Sequence, residues 1–232
     1  MAPKLAPLIP LSIPIPVAMG MPAEDFPWRW SVYRWLEGEN ATIAQIENPR
    51  EAASSLAQFI NSLQQIDPTG GPTPGPHNSS RGVPLSMRDT SVRSAILALN
   101  HLLDADKATA VWETALQAPE WQGRGVWLHG DLHPGNLLVN DGQLSAVIDF
   151  GTLGVGDPAC DLMVAWTLLS AESRDNFRAA LPIDDATWTR GRGWALSFGL
   201  IALAYYLETN PVLAAISRRT IDEVLYECSN GS

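Results

Sequence analysis

The segment that decides the fold spans residues 126–161 and reads VWLHGDLHPGNLLVNDGQLSAVIDFGTLGVGDPACD. It contains three short apolar runs bounded by turn residues, and such runs predict short strands. They are 126–128, 137–139 and 146–148. Asp141-Gly142 lies between the second and third runs, where this dipeptide predicts a hairpin turn. The segment therefore predicts a small β-hairpin with polar residues at the strand ends.

Two carboxylates and one amide stand next to these runs. Asp131 follows the first run, Asn136 comes five residues later, and Asp149 follows the third run. Their oxygens suit Mg²⁺, which takes few protein ligands and completes its shell with water and phosphate oxygens. No thiolate set or HExxH motif competes for a metal. The same order of Asp, Asn and strand-end Asp is what phosphoryl transfer requires of a kinase-like fold.

The segment resembles the aminoglycoside phosphotransferase (APH) family, whose catalytic loop reads HGDxxxxN where protein kinases have HRDxxxxN. The matching elements occur in family order and at family-like spacing. They are His129-Gly130-Asp131, Asn136, Asp149-Phe150-Gly151, Gly156-Asp157-Pro158 and Asp161. The resemblance implies the C-terminal lobe of a protein-kinase-like fold.

The resemblance also implies roles for individual residues. Asp131 would be the catalytic base, or the residue that orients the acceptor hydroxyl. Asn136 and Asp149 would hold Mg²⁺ on the phosphates of ATP or GTP, and His129 would support the loop. A lone Asp-x-x-x-x-Asn is more often turn chemistry, but the Asp-Phe-Gly element downstream favours the kinase-like site.

The neighbouring polar residues have simpler interpretations. His133 is expected to be structural, because phosphoryl transfer needs no imidazole. Asp157 is expected to start a helix, and Asp161 is expected to meet unpaired N–H groups in its first turn. Gly154-x-Gly156 lacks the preceding strand and third glycine of a dinucleotide-binding fingerprint, so it is not interpreted as a phosphate loop.

Outside this segment, apolar residues at helical spacing predict a mainly α chain, so the fold class is α+β with a small β-hairpin. Residues 68–84 hold five prolines and four glycines, so they are expected to form either a loop or a linker and are a candidate mobile segment. The predicted helices are about 49–67, 89–103, 105–118, 159–170, 174–181, 185–208 and 211–228.

The N-terminal part differs from the rest of the chain. Seven of the 18 prolines fall within residues 1–27, which favours extended structure. Residues 28–36 alternate as a strand does, with Trp28, Trp30, Val32 and Arg34 on one face. By the resemblance, this aromatic stretch, including Tyr33 and Trp35, would connect two lobes and border the adenine pocket, with Trp35 contacting the nucleotide. Core packing of the same aromatic residues is an equal alternative.

These observations divide the chain in two. Residues 1–40 are expected to be an extended, Pro/Trp-rich remnant of an N-terminal lobe with the inter-lobe connector. Residues 41–232 are expected to form a helical lobe for catalysis and acceptor binding.

Three parts of an APH-like N-terminal lobe are not recognisable: the Gly-rich hairpin, the strand Lys and its helix Glu. Lys4 and Lys107 are the only Lys before the catalytic loop, and neither has the expected context. Efficient ATP turnover is therefore in doubt, and surfaces that the lobe would cover are expected to favour a homo-oligomer formed through the Pro/Trp-rich segment.

Composition sets further bounds. The 232 residues include 25 acidic and 15 basic side chains, a net charge of −10, which disfavours nucleic acid and anionic membranes as partners. The N-terminal prolines argue against a signal peptide, no apolar run is long enough to span a membrane, and Cys160 and Cys228 form no recognised motif. We expect a cytoplasmic protein.

The acidic balance favours a small-molecule acceptor with positive charge. Acidic residues in the last helices are candidates for attracting it, although each alone is more typical of a solvated surface. They are Asp184, Asp185, Glu208, Asp222, Glu223 and Glu227.

Three functions share this fold. The first is a Mg²⁺-dependent small-molecule phosphotransferase. The second is a different activity on the same scaffold, such as hydrolysis, although no GxSxG or SxxK motif supports a serine nucleophile. The third is a binding module without catalysis.

Overall fold

Helices pack around a few short antiparallel strands in the computed structural model, which describes residues 5–230. This is the predicted α+β class with a predominance of helix. The helices are α1 (Pro49–Gln65), α2 (Asp89–Ala98), α3 (Ala105–Gln117), α4 (Val164–Thr167), α5 (Ala171–Ala179), α6 (Asp185–Tyr206) and α7 (Pro211–Asn230).

The strands form three small sheets. The first pairs β1 (Pro16–Gly20) with β2 (Trp30–Tyr33), the second has the order β3 (Glu39–Asn40), β5 (Leu137–Asn140), β6 (Gln143–Val147), and the third pairs β4 (Val126–Leu128) with β7 (Gly154–Gly156). All of these pairs are antiparallel.

The predicted hairpin is confirmed as β5 and β6. Asp141 and Gly142 at its turn have φ of +49° and +73°, the two positive values that a two-residue type I′ turn requires. The β4–β7 pair was not predicted, and it places Gly154 and Gly156 in a strand rather than in a phosphate-binding loop.

The core is organised around α6, which packs against α2, α3 and α7. Most of its residues are buried, as expected of a helix that is apolar on nearly every side. Trp112, Trp166 and Trp194 are among the largest fully buried side chains. No helix within residues 5–230 is long and apolar enough to cross a membrane.

The predicted helix 159–170 is interrupted. A 3₁₀-helix over Pro158–Met163 precedes the short α4, and Asp157 starts it as predicted by accepting from the Ala159 N–H at 2.9 Å. The chain leaves helical geometry after α4 because Arg219 of α7 donates to the carbonyls of Trp166, Thr167, Leu168 and Leu169. Those carbonyls therefore have hydrogen-bond donors without the N–H groups that a further helical turn would supply.

Residues 68–84 are a packed loop rather than a mobile linker. The loop crosses the β4–β7 ribbon, where the Val155 N–H donates to the Pro72 carbonyl at 2.8 Å and the Asp157 N–H donates to the Gly82 carbonyl at 2.9 Å. Asn78 is fully buried. Backbone hydrogen bonds to a strand therefore fix a segment whose composition indicates mobility.

The N-terminal segment is extended, as predicted, but it is also anchored. Four apolar residues enter the core: Leu5, Ile9, Leu11 and Ile13. Between them, Ser12 pairs with β6, donating to the Ser145 carbonyl at 3.1 Å and accepting from the Val147 N–H at 2.9 Å. The strand predicted at 28–36 is confined to β2.

The aromatic side chains around β2 do not pack in the core. Trp28, Trp30 and Trp35 are exposed, Trp35 to 79%. The alternative in which they contribute to core packing is therefore wrong.

Candidate active site

The centre of the site is the loop 129–136, which begins directly after β4. It is joined to the end of β6 by two hydrogen bonds. The Ile148 N–H donates to the Asn136 carbonyl at 2.9 Å, and His129 Nε2 lies 2.9 Å from the Ile148 carbonyl. The ends of β4 and β6 thereby bring Asp131, Asn136 and Asp149 to one side of the molecule.

His129 supports the loop from inside. The Asp131 N–H donates to His129 Nδ1 at 3.2 Å, so the ring proton lies on Nε2 and is donated to Ile148. Complete burial lowers the pKa of His129 to about 4. The ring is therefore neutral at physiological pH, and its hydrogen bonds position the backbone on both sides of the site.

Asp161 holds the start of the same loop. Its carboxylate accepts from the backbone N–H groups of His129 and Gly130, both at 2.7 Å. Burial raises its pKa to about 6, against the opposing effect of those two donors. The expectation that Asp161 serves the first turn of its own helix is wrong, since its partners lie about thirty residues earlier in the chain. Gly130 has φ +85°, which a side chain disfavours at this bend.

The Asp131 carboxylate has three partners. Arg81 Nη2 donates to Oδ1 at 2.8 Å, Asn136 Nδ2 lies 3.3 Å from Oδ2, and His133 Nε2 lies 3.5 Å from Oδ2. Burial alone would raise the pKa of Asp131, but the interaction with His133 and the charge of Arg81 outweigh it and lower the pKa. Asp131 is therefore ionised at neutral pH and can accept a proton or orient a hydroxyl.

Asn136 is buried beside Asp131, and its amide nitrogen is engaged. Nδ2 donates to the Asp131 carbonyl at 2.9 Å and lies 3.3 Å from His133 Nε2. Among the described residues, no donor bonds to its Oδ1. This orientation leaves the amide oxygen available for a cation.

Asp149 occupies a left-handed backbone conformation with φ +59°, which non-glycine residues adopt at a cost and often at functional positions. Its Oδ1 accepts from the Gly151 N–H at 3.2 Å, and the residue is exposed.

The donor set of Asn136 and Asp149 fits Mg²⁺, which needs only one or two protein ligands when phosphates and water supply the others. Within residues 5–230 no three His, Cys, Asp or Glu side chains form a metal cluster. The described residues thus favour a metal ion that is shared with phosphate oxygens and water over one that is held by the protein alone.

Two cavities are lined by predicted site residues, and Asn136 lines neither of them. The first, of about 780 Å³, is lined by Asp149, Phe150, Arg34 and Trp35 among others. The second, of about 670 Å³, is lined by Asp131 and Arg81 among others. The predicted site residues are thus distributed, with Asp149 and Trp35 on the first cavity and Asp131 on the second.

Sequence reasoning missed three basic residues that line the cavities, Arg34, Arg81 and Arg88. Arg81 pairs with Asp131, and Arg34 is the one basic residue among those that line the first cavity within the described chain. The available signal for Arg81 was its position as the only Lys, Arg, Asp or Glu in residues 68–84. Arg34 was assigned to a strand face, and only the family resemblance placed its stretch at a nucleotide pocket.

Comparison with known proteins agrees with this geometry. The family model described as "Phosphotransferase enzyme family" (APH) matches residues 1–194. The chain belongs to the APH family. Among curated proteins, no sequence matches it.

Solved structures of APH-like proteins share the fold. The GDP and kanamycin complex of APH(2")-IIia has a TM-score of 0.67 at 18% identity, covering 99% of this chain and 80% of the other. The macrolide 2'-phosphotransferase MphH from Brachybacterium faecium has a TM-score of 0.55 at 22% identity, covering 96% and 77%. A thermostable mutant of the aminoglycoside phosphotransferase APH(4)-Ia has a TM-score of 0.54 at 20% identity, covering 95% and 79%. At these identities the likeness concerns the fold alone.

Proposed function

We propose that the protein is a small-molecule phosphotransferase that moves the γ-phosphoryl group of ATP or GTP to a hydroxyl group. The observation that carries the proposal is the arrangement of three groups: the ionised Asp131 carboxylate on the second cavity, Asn136 beside it at the end of the same loop, and Asp149 just after β6 on the first cavity. Membership of the APH family supports the same reaction class.

Each residue has a distinct task in this proposal. Asp131 orients the acceptor hydroxyl and accepts its proton, which its low pKa and nearby donors permit. Asn136 and Asp149 hold Mg²⁺ through their side-chain oxygens, and the ion neutralises charge on the phosphates when bound. Trp35 borders the nucleotide base in the first cavity.

We expect nucleotide binding to be weak. Arg34 is the one basic side chain on the first cavity within residues 5–230, and no Lys lines it. Lys4 lies outside the described residues, and Lys107 lies in α3. Since phosphoryl transfer depends on positioning and on charge stabilisation around the phosphates, turnover should be slow. The assignment of residues 1–40 as a lobe remnant and of 41–232 as the catalytic lobe stays a prediction.

The acceptor is a small molecule that carries a hydroxyl group. A cationic acceptor was expected from the net charge of −10, but that charge is a property of the whole chain. The side chains that line the second cavity bear more directly on the acceptor than the net charge does.

We place the protein in the cytoplasm, where nucleotide donors are available. Both cysteines are free thiols, Cys160 buried and Cys228 half-buried, as is usual in a reducing compartment. An absence of nucleic-acid partners, expected from the net charge, stays a prediction.

The test combines calorimetric binding of ATP in millimolar Mg²⁺ with phosphate transfer across a panel of acceptors. Asp131→Asn should leave nucleotide binding unchanged and reduce transfer by about 10²- to 10⁴-fold, the usual contribution of a general base. Asp175→Asn, at an exposed position of α5, is the matched control and should retain transfer.

Two results would contradict the proposal: no nucleotide binding in millimolar Mg²⁺, or transfer that survives Asp131→Asn. Ester hydrolysis that survives Asp131→Asn would instead support a different activity located elsewhere on the scaffold. Binding of an acceptor without transfer or hydrolysis would support a binding module.

A further inference from the structure

The second cavity carries an unusual set of charges for a site predicted to receive a cation. Of the residues that line it, Arg81, Arg88 and Asp131 carry a full charge when histidine is counted as neutral. The charges therefore sum to +1. Serines, Phe198 and the tyrosines of α6 supply much of the remaining wall.

Arg81 and Asp131 compensate each other through their 2.8 Å ion pair. Arg88, in contrast, has no ion-pair partner among the described residues. Its Nε donates to Ser197 Oγ at 2.7 Å, and its guanidinium lies 4.8 Å from the centre of the Trp194 ring. In the described part of the chain no carboxylate lies within 4.0 Å of it.

The electrostatic environment of Arg88 is correspondingly unfavourable. Burial, and then the positive charge of Arg81, lower the pKa of Arg88 to about 10. A half-buried guanidinium next to a second one costs free energy that an anion between or beside them would offset.

The acidic residues expected to attract a cation do not line this cavity. Asp184 caps the start of α6 by accepting from the Thr187 N–H, and Asp185 pairs with Arg178. Glu223 pairs with Arg174, and Glu227 accepts from the indole of Trp166. The negative charge of these four residues is thus used elsewhere in the fold.

We propose that the second cavity binds a hydroxyl compound with an anionic group, a carboxylate or phosphate, which Arg88 holds while Asp131 faces the hydroxyl. This inference rests on the proposed function for the reaction, but its binding part stands independently. A guanidinium pairs well with either anion through two parallel hydrogen bonds. The volume of about 670 Å³ fits a drug-sized ligand, and the aromatic wall suits a partly apolar body.

The test uses three nitrophenyl glycosides that share a pyranose ring and differ in charge: the β-D-glucuronide (−1), the β-D-glucoside (0) and the β-D-glucosaminide (+1). Binding is measured by NMR titration of the full chain without nucleotide. We expect the glucuronide to bind about tenfold more tightly than the glucosaminide, the ratio that one charged hydrogen bond supports. Equal binding, or preference for the glucosaminide, would overturn the inference.

Variants locate the preference. Arg88→Gln should abolish it, Arg88→Lys should keep part of it, and Arg218→Gln, at an exposed position of α7, should leave it unchanged. Because Arg88 packs on Trp194, Arg88→Gln could fail to fold, so Ser91→Asp is a second variant. It adds a negative charge at an exposed residue of the same cavity and should reduce glucuronide binding at least threefold. A preference that survives both Arg88→Gln and Ser91→Asp would contradict the role of Arg88.

A further titration distinguishes binding of an anionic acceptor at Arg88 from binding of the donor's phosphates at Arg88. The glucuronide titration is repeated with saturating Mg²⁺ and the nonhydrolysable analogue AMP-PNP. Simultaneous binding supports an acceptor site, whereas competition would assign Arg88 to the donor phosphates and overturn the inference. Glucuronide binding that depends on Arg88, in a protein that transfers no phosphate to any acceptor, would refute the proposed function while leaving the anion site intact.

Discussion

Arg81 makes the shortest side-chain contact with the Asp131 carboxylate. Its Nη2 donates to the carboxylate, whereas Nε and Nη1 are buried and have no hydrogen-bond partner among the described residues. Buried donors without partners cost free energy. Hydrogen bonds from Nε and Nη1 to an oxygen of a bound ligand would therefore stabilise the site. The position of Arg81 beside Asp131 would allow that oxygen to come from a transferred phosphoryl group.

Replacing Arg81 should therefore change how Asp131 titrates. Because the charge of Arg81 lowers the pKa of Asp131, Arg81→Gln should raise that pKa and move the acid limb of the pH–rate profile to higher pH. Carbon-13 NMR of the Asp131 carboxyl group measures the same shift without turnover or metal. Arg218→Gln is the control for loss of one charge. An Asp131 titration that is identical in Arg81→Gln and in the unmodified protein would refute this role.

His129 makes a different contribution, to stability. Its folded-state pKa is about 4, whereas an unfolded histidine titrates near 6.5. Below about pH 6.5 the unfolded chain binds a proton that the folded chain does not bind, so acidification favours unfolding through this residue. The effect is present from about pH 6.5 down to about pH 4.

His129→Gln should remove this pH dependence. The free energy of unfolding of the unmodified protein, minus that of the variant, should fall by about 3 kcal/mol between pH 7 and pH 4. Urea denaturation at several pH values measures both proteins, and the difference cancels titrations that they share, including that of Asp161. A difference that stays constant with pH would show that His129 is not the neutral buried group described above.

At the scale of elements, the loop 68–84 meets the β4–β7 ribbon through two glycines. A Cβ on Gly156 would lie 2.6 Å from the Gly82 carbonyl oxygen, and a Cβ on Gly82 would lie 2.6 Å from the Leu128 side chain. Gly82 also has φ +83°. The loop can approach the strand closely only because neither position has a side chain, and that approach places Arg81 next to Asp131.

Gly82→Ala tests this contact. We expect a loss of about 2–4 kcal/mol in stability, from overpacking and from the positive φ, together with weaker pairing between Arg81 and Asp131. Gly70→Ala is the matched control, since Gly70 has φ +75° but no atom within 4 Å of the position that an added methyl group would take; it should lose about 1 kcal/mol. If thermal or urea unfolding showed equal losses of stability in the two variants, the close contact between Gly82 and Leu128 would not contribute to stability.

The elements that the sequence predicts well are those with local causes. The helices α1, α3, α6 and α7 and the β5–β6 hairpin follow from apolar periodicity, a first-turn proline and an Asp-Gly turn. The loop 68–84 and the end of α4 could not be predicted in this way. Their conformations depend on partners distant in sequence, the β7 backbone in one case and Arg219 in the other.

The same distinction applies to the candidate site. Asp131, Asn136 and Asp149 lie within a motif of fixed spacing, and their order alone suggests one site. Arg81, Arg88 and Arg34 reach the cavities from other parts of the chain, and no local pattern marks them. The sequence therefore predicts the reaction class better than the acceptor, whose charge preference depends on these non-local residues.

At the scale of the whole molecule, the β1–β2 hairpin is notable for the apolar side chains that it exposes. Val17, Met19, Trp28 and Val32 on it are all at least 47% exposed, and adjacent exposed apolar side chains of this kind favour association. We propose that the hairpin mediates contact between two copies of the chain.

Light scattering over a concentration series tests this proposal. The unmodified protein should increase in apparent mass towards a dimer as its concentration rises, and Met19→Ser combined with Trp28→Ser should remain monomeric. Leu97→Ser combined with Val212→Ser removes two exposed apolar side chains elsewhere and should behave as the unmodified protein does. A monomer throughout the series would exclude self-association through the hairpin.

The contrast between buried and exposed tryptophans also has a practical consequence. Trp112, Trp166 and Trp194 are shielded from water, whereas Trp35 is exposed on the wall of the first cavity. Indole emission shifts to longer wavelength in water, and only accessible indoles are quenched by dissolved acrylamide. The chain thus carries its own optical reporter at the cavity assigned to the nucleotide, and Trp35→Phe identifies its share of the signal without an attached dye.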